Sequence, residues 1–196
     1  MNSPPKKPPK KPKNRDRRTR EYLMPDEVEA LMKAARHVGR HRIRDYTLIL
    51  MMYRHGLRVS EVIDLRWEQV DFGSGLLHIR RLKSGNPSIH PLYGIELRSL
   101  HGVQRKYPPS PYIFTSELGG TLSDSTVRKM VARAGQLAGL PFPVHPHMLR
   151  HATGFYLANK GFDTRAIQAY LGHRNINHTV RYTDLVPSRF NDFWGD

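Results

Sequence analysis

Cysteine is absent from all 196 residues, which excludes disulfide cross-links and a cysteine nucleophile and fits a reducing compartment. A chain of this length buries enough core to stand without a disulfide or a structural metal. Long apolar runs are missing too. The longest, Tyr46 to Tyr53, falls far short of the roughly 20 residues that a membrane-spanning helix needs. The first residues carry charge but no apolar stretch and no small-residue cleavage pattern, so no secretory signal is expected there. Acidic residues are scarce, 17 Asp and Glu against 32 Lys and Arg, and the formal charge is +15. A soluble cytoplasmic protein that meets a polyanion is the expectation. Nucleic acid is preferred to membrane because no amphipathic anchor is visible.

The positive charge is unevenly placed. Residues 1 to 20 hold Lys6, Lys7, Lys10, Lys11, Lys13, Arg15, Arg17, Arg18 and Arg20 against Asp16 alone, with five prolines among them. Such a segment cannot build a core and is expected to be an extended cationic arm that contacts DNA; the alternative is a solubility tail. The remaining residues still carry 23 basic against 16 acidic side chains, so the body is basic as well. A domain over residues 21–185 and a short tail over 186–196, bearing Phe190, Phe193 and Trp194, complete the division.

Within the body, Pro25-Asp26-Glu27 starts a helix, with Val28, Leu31, Met32 and Ala35 at helical spacing. A second helix, about His41 to Arg54, is apolar on most faces and should lie centrally, closed by Gly56; a short third covers Val59 to Leu65. The period then changes to strands around Leu77–Ile79 and Ser88–Leu92, joined by a turn that places Lys83 beside a hairpin tip. A helix near Ile95–Lys106, a short strand at Tyr112–Phe114, and helices around Val127–Leu137, after Pro146, over Asp163–Leu171 and over Asn177–Tyr182 follow. The fold class is therefore α+β, mostly α, with a small three-stranded antiparallel sheet at one edge.

Displacement at a phosphodiester passes through a transition state with extra charge on the non-bridging oxygens. Stabilising it without a metal calls for arginines, whose planar forks hold two oxygens at once, plus a nucleophile and proton-transfer groups. Two segments supply these residue types. One is His55-Gly56-Leu57-Arg58-Val59-Ser60-Glu61; the other runs His147-Met148-Leu149-Arg150-His151, then Leu171-Gly172-His173, then Arg181-Tyr182. Together they resemble the tyrosine recombinase (phage integrase-like) family, over about Leu23 to Asp184. The family's catalytic order of Arg, Lys, His, Arg, His or Trp, and Tyr falls on Arg58, Lys83, His147, Arg150, His173 and Tyr182. Arg81-Leu82-Lys83-Ser84-Gly85, His90-Pro91-Leu92 and Leu171-Gly172-His173-Arg174-Asn175-Ile176 further resemble the fimbrial phase-variation invertases. Those are short members of the family that flip a promoter-bearing DNA segment.

The resemblance implies a recombinase catalytic domain that uses no cofactor and no metal. Its implied partners are double-stranded DNA with inverted-repeat sites, a homotetramer on paired sites, and accessory DNA-bending proteins, all at the nucleoid. Tyr182 is the implied nucleophile. Arg58, oriented by Glu61, and Arg150 clamp the phosphate, His173 donates to it, and Lys83 protonates the leaving 5′-oxygen. His147 shuttles the Tyr182 proton and His151 plays a supporting, structural part. The tail is implied to dock on a neighbouring protomer. Two other classes fit less well. A metal nuclease would use His145, His147 and His151, but no HExxH pattern appears and two nearby arginines repel a cation. A non-catalytic DNA-binding regulator would show a broken catalytic set, and this one is whole.

Overall fold

The computed structural model describes residues 20–81, 86–184 and 186. Its centre is the helix with the most continuous apolar sequence, α2 (Arg42–His55), in which Leu48 to Met52 are all buried. Three helices pack around it: α1 (Pro25–His37), α4 (Gly94–Lys106) and α6 (Pro146–Asn159). The amphipathic α1 starts on Pro25, with the Glu27 carboxylate accepting from the Met24 N–H at 2.7 Å, and turns Val28, Leu31 and Ala35 inward. On its other side lies α5 (Asp124–Leu137), capped by Ser123 and burying Val127, Val131 and Ala134.

Between α2 and α4 run α3 (Val59–Ile63), a 3-10 turn (Trp67–Gln69) and three antiparallel strands, β1 (Val70–Asp71), β2 (Leu76–Ile79) and β3 (Ser88–Pro91), in that spatial order. Leu77 pairs with Val70 on one side and His90 on the other. The third strand is thus Val70–Asp71, not the expected Tyr112–Phe114. That segment forms only an isolated bridge at Tyr112 with Arg66, held by Ile113 N–H to Leu65 O at 2.9 Å and Trp67 N–H to Pro111 O at 3.1 Å. Ile113 and Phe114 are both buried, so the segment threads the core and has no open edge to offer a sheet. The helix expected to reach Leu65 stops at Ile63, because Leu65 turns into the core.

The last two helices, α7 (Thr164–Leu171) and α8 (Asn177–Thr183), dock on the C-terminal half of α6. They form a separate small core of Phe155, Ala158, Ile167, Leu171, Tyr182 and Val186, with Tyr22 packed against it. The body thus includes both Val186, the first residue of the expected tail, and Arg20, the last of the expected arm. Arg20 pairs with Glu27 and lies over the Phe142 ring at 5.0 Å.

Candidate active site

Four elements bring the chemistry-bearing side chains together. At the end of α2, Gly56 takes a left-handed conformation (φ 59°), and a Cβ there would run into the Leu171 side chain. The chain then turns so that Arg58 caps α3. Its backbone N–H donates to Glu61 Oε2 at 2.9 Å, and its Nη1 donates to Glu61 Oε1 at 2.8 Å. Glu61 therefore orients Arg58, whose side chain keeps about a third of its surface open, 32 %.

Arg150 projects from α6 and is 1 % exposed. It donates to two helix-terminal carbonyls, from Nη1 to Gly56 O at 2.5 Å and from Nη2 to Leu171 O at 2.8 Å. Burial, then the neighbouring Arg58 and Arg81 cations, push it down to about 9, so it stays charged at neutral pH. His173 follows Gly172, the left-handed cap of α7 (φ 65°), and its Nδ1 meets Thr179 Oγ1 at 2.8 Å. Burial and the cations of Arg150 and Arg58 lower it to about 3, so it is neutral.

Tyr182 on α8 is buried at 1 % exposure. Its ring lies over Gly154 of α6, edge-on to Phe155 at 5.1 Å and nearly parallel to His173 at 6.3 Å. Burial raises its phenol above the ordinary value, while Arg181, Arg150 and Arg58 pull the other way. The hydroxyl meets His151 Nδ1 at 2.9 Å. His151 thus occupies the place beside the Tyr182 hydroxyl that the resemblance implied for His147. The geometry explains the exchange: His147 begins α6 one turn earlier, with its ring 4.4 Å from that of His151 and exposed to solvent. Desolvation by its surroundings, then Arg150 and Arg181, lower His147 to about 4, although solvent at the exposed ring moderates that. His151 is inside, and burial followed by His147 and Arg181 lowers it to about 2. Helical periodicity puts both histidines on one face; which of them reaches the phenol depends on where α8 docks.

Lys83 lies outside the described residues, as do Lys6, Lys7, Lys10, Lys11, Lys13, Arg15, Arg17 and Arg18, and Phe190, Phe193 and Trp194. One site residue is not marked by the sequence. Arg81, at the foot of the β2–β3 turn, is fully buried and donates from Nη1 to Glu61 Oε2 at 2.9 Å. Its only signal is its place in the Arg81-Leu82-Lys83 run, because nothing in strand periodicity marks an arginine as interior. Burial would raise the Glu61 carboxyl, but Arg81, the Arg58 N–H and the Arg58 and Arg150 cations hold it below the usual carboxylate range. Three arginines thus surround one carboxylate, and the cluster is cationic overall. Among the described residues no group of three or more His, Asp or Glu side chains is placed to hold a metal ion. His147 and His151 meet edge to face instead.

The chain is similar to known proteins over most of its length. Residues 21–189 match the model of the phage integrase family. The chain is 43 % identical over 184 residues to the type 1 fimbriae regulatory protein FimB of Escherichia coli K12, covering 91 % of this chain and 92 % of that one. It is 44 % identical over 185 residues to FimE of the same strain, covering 89 % and 91 %. Among solved structures, the XerA recombinase superposes with a TM-score of 0.75 at 27 % identity, covering 88 % of this chain and 63 % of that one. XerH bound to a palindromic difH substrate shares the fold, with a TM-score of 0.76 at 22 % identity over 93 % and 54 % of the two chains. The chain belongs to the phage integrase family, and its fold is that of a tyrosine recombinase catalytic domain.

Proposed function

We propose that this protein is a site-specific DNA recombinase that cuts and rejoins strands through a 3′-phosphotyrosine on Tyr182. The observation that carries this reading is a buried phenol within the field of Arg150, Arg58 and Arg181, beside His173. The Tyr182 oxygen attacks the scissile phosphorus as the bond to the 5′-oxygen breaks. Lys83 protonates that oxygen, and Arg58, Arg150 and His173 hold the non-bridging oxygens. Rejoining is the reverse, with a 5′-hydroxyl of the partner strand as nucleophile. The phosphotyrosyl bond retains the energy of the phosphodiester, so neither ATP nor a metal is required.

The free protein is a resting form. His151 is so weak a base and the phenol so weak an acid that the proton stays on Tyr182. A phosphate anion beside these imidazoles makes them more basic and so better able to take up a proton. His147, open to the cleft, then carries the proton away.

Double-stranded DNA bearing inverted repeats is the proposed substrate, and XerH and a lambda integrase dimer are both solved on DNA. The FimB and FimE matches favour inversion of a promoter-bearing segment that controls fimbrial genes. The proposed assembly is a tetramer on paired sites, helped by DNA-bending proteins at the nucleoid. An apolar groove of about 650 Å³, lined by Tyr53, Tyr93, Tyr156 and Phe162 among others, is of a size to accept the aromatic tail of a neighbouring copy. No helix among the described residues is long and apolar enough to cross a membrane. The test is Tyr182→Phe: it should bind the inverted repeats beside its gene normally and give no SDS-resistant protein–DNA adduct. An adduct that persists in this variant would remove Tyr182 from the reaction.

A further inference from the structure

We infer that Arg81 is a positioning residue for strand cleavage, holding Glu61 so that Arg58 is both aimed and left free to meet the phosphate. Its side chain is 0 % exposed and spans three parts of the site. Nη1 donates to Glu61 Oε2 at 2.9 Å, and Nη2 donates to Tyr170 O at 2.6 Å, with His55 O at 3.4 Å. Its stem lies against Gly172, where a Cβ would come within 2.8 Å of Arg81 Cγ and 2.9 Å of Nε. Arg81 therefore touches the carboxylate that orients Arg58 and the end of α7 that delivers His173. It also sits two residues before Lys83.

The charge arithmetic gives this contact its consequence. Glu61 offers one negative charge, and Arg58 binds it through both a backbone N–H and Nη1. Glu61 and Arg58 by themselves form a neutral pair, which would leave the net positive charge of the clamp to Arg150 alone. Arg81, buried on the far side, balances the carboxylate, so the cluster keeps a net positive charge at the partly open Arg58. Arg81 reaches the acid and the carbonyl from two separate nitrogens of one planar fork, a span that the single nitrogen of a lysine does not reproduce.

This inference rests on the recombinase reading, and a double-mutant cycle tests the two separately. The measurement is the single-turnover rate of covalent adduct formation on a duplex carrying the inverted repeats beside the gene, with thermal melts of each variant. Arg81→Lys and Arg81→Gln should each slow adduct formation by about 100-fold, the scale of losing one preorganised donor. In an Arg58→Ala background, the same changes should cost only a few-fold more, because their effect runs through Arg58. A further full 100-fold loss in that background, or a wild-type rate in folded Arg81→Lys, overturns the inference. If Arg81→Gln alone does not fold, Arg81→Lys and the doubly neutral Glu61→Gln/Arg81→Gln carry the cycle. Failure of all three to fold would make Arg81 structural only, which also overturns it. Absence of any Tyr182-dependent adduct in the wild type would instead defeat the recombinase reading.

Discussion

Mild acid should unfold this domain through its buried histidines. His90, His151 and His173 are 1 %, 6 % and 7 % exposed and are lowered to about 3, 2 and 3. Burial is the main cause in each, followed by His55 for His90, by His147 for His151, and by Arg150 for His173. A free histidine titrates near 6.5, so between pH 6.5 and 3 the unfolded chain binds protons that the folded one refuses. The stability these groups contribute is complete above pH 6.5 and is lost as pH falls below it. Each contributes a slope of about 1.4 kcal/mol per pH unit, or about 4 kcal/mol per unit for the three. From pH 7 to pH 5 the loss is about 4 to 6 kcal/mol, a large share of the 5–15 kcal/mol typical of a domain. Ordinary carboxylates titrate below this window and do not obscure it. The assay is urea unfolding at pH 7.5, 6.5, 5.5 and 5.0, compared with His90→Phe, which keeps a ring against Tyr170 and removes one titrating group. The midpoint should fall steeply below pH 6.5 in the wild type, and the slope should be about a third shallower in the variant. A wild-type midpoint that does not move between pH 7 and 5, or an undiminished slope in His90→Phe, would refute the assignment of these histidines as buried and neutral.

Two further outcomes are expected. Gly154→Ala should abolish adduct formation while leaving DNA binding intact, since the added methyl would lie 2.5 to 2.7 Å from three carbons of the Tyr182 ring; normal adduct yield would show that the ring does not need that seat. Deleting residues 1–19, which leaves the Arg20–Glu27 pair in the body, should weaken binding to cognate and scrambled DNA alike. The plot of log affinity against log salt should become shallower by roughly three to five units, at about 0.9 for each phosphate no longer neutralised, whereas an unchanged slope would make the segment a solubility tail.

The helices were legible because their signals are local. Pro25 at a first turn, the apolar run after Tyr46, Asp163 at a helix start and Gly56 and Gly172 at helix ends all act within a few residues of themselves. The hairpin was legible from its alternation, but the third strand was not. Val70–Asp71 is too short to show a period, and Tyr112–Phe114 has strand-like residues that the core takes up instead. At the site, spacing determined that Arg58 would sit beside Glu61 and that His147, Arg150 and His151 would share a helix, since helical geometry relates residues three and four apart. It could not determine which histidine meets Tyr182, because that depends on how α8 seats against Gly154 and Phe155, far away in the chain. Nor could it reveal Arg81, whose partners at Glu61 and Tyr170 lie 20 and 89 residues distant. The sequence by itself determined the inventory of reactive groups and the elements that carry them, because both follow from residue type and local periodicity. Only the tertiary structure decided which of those groups touch, which are buried and therefore neutral, and which cation is balanced by which acid, because contact, desolvation and field depend on distance in space.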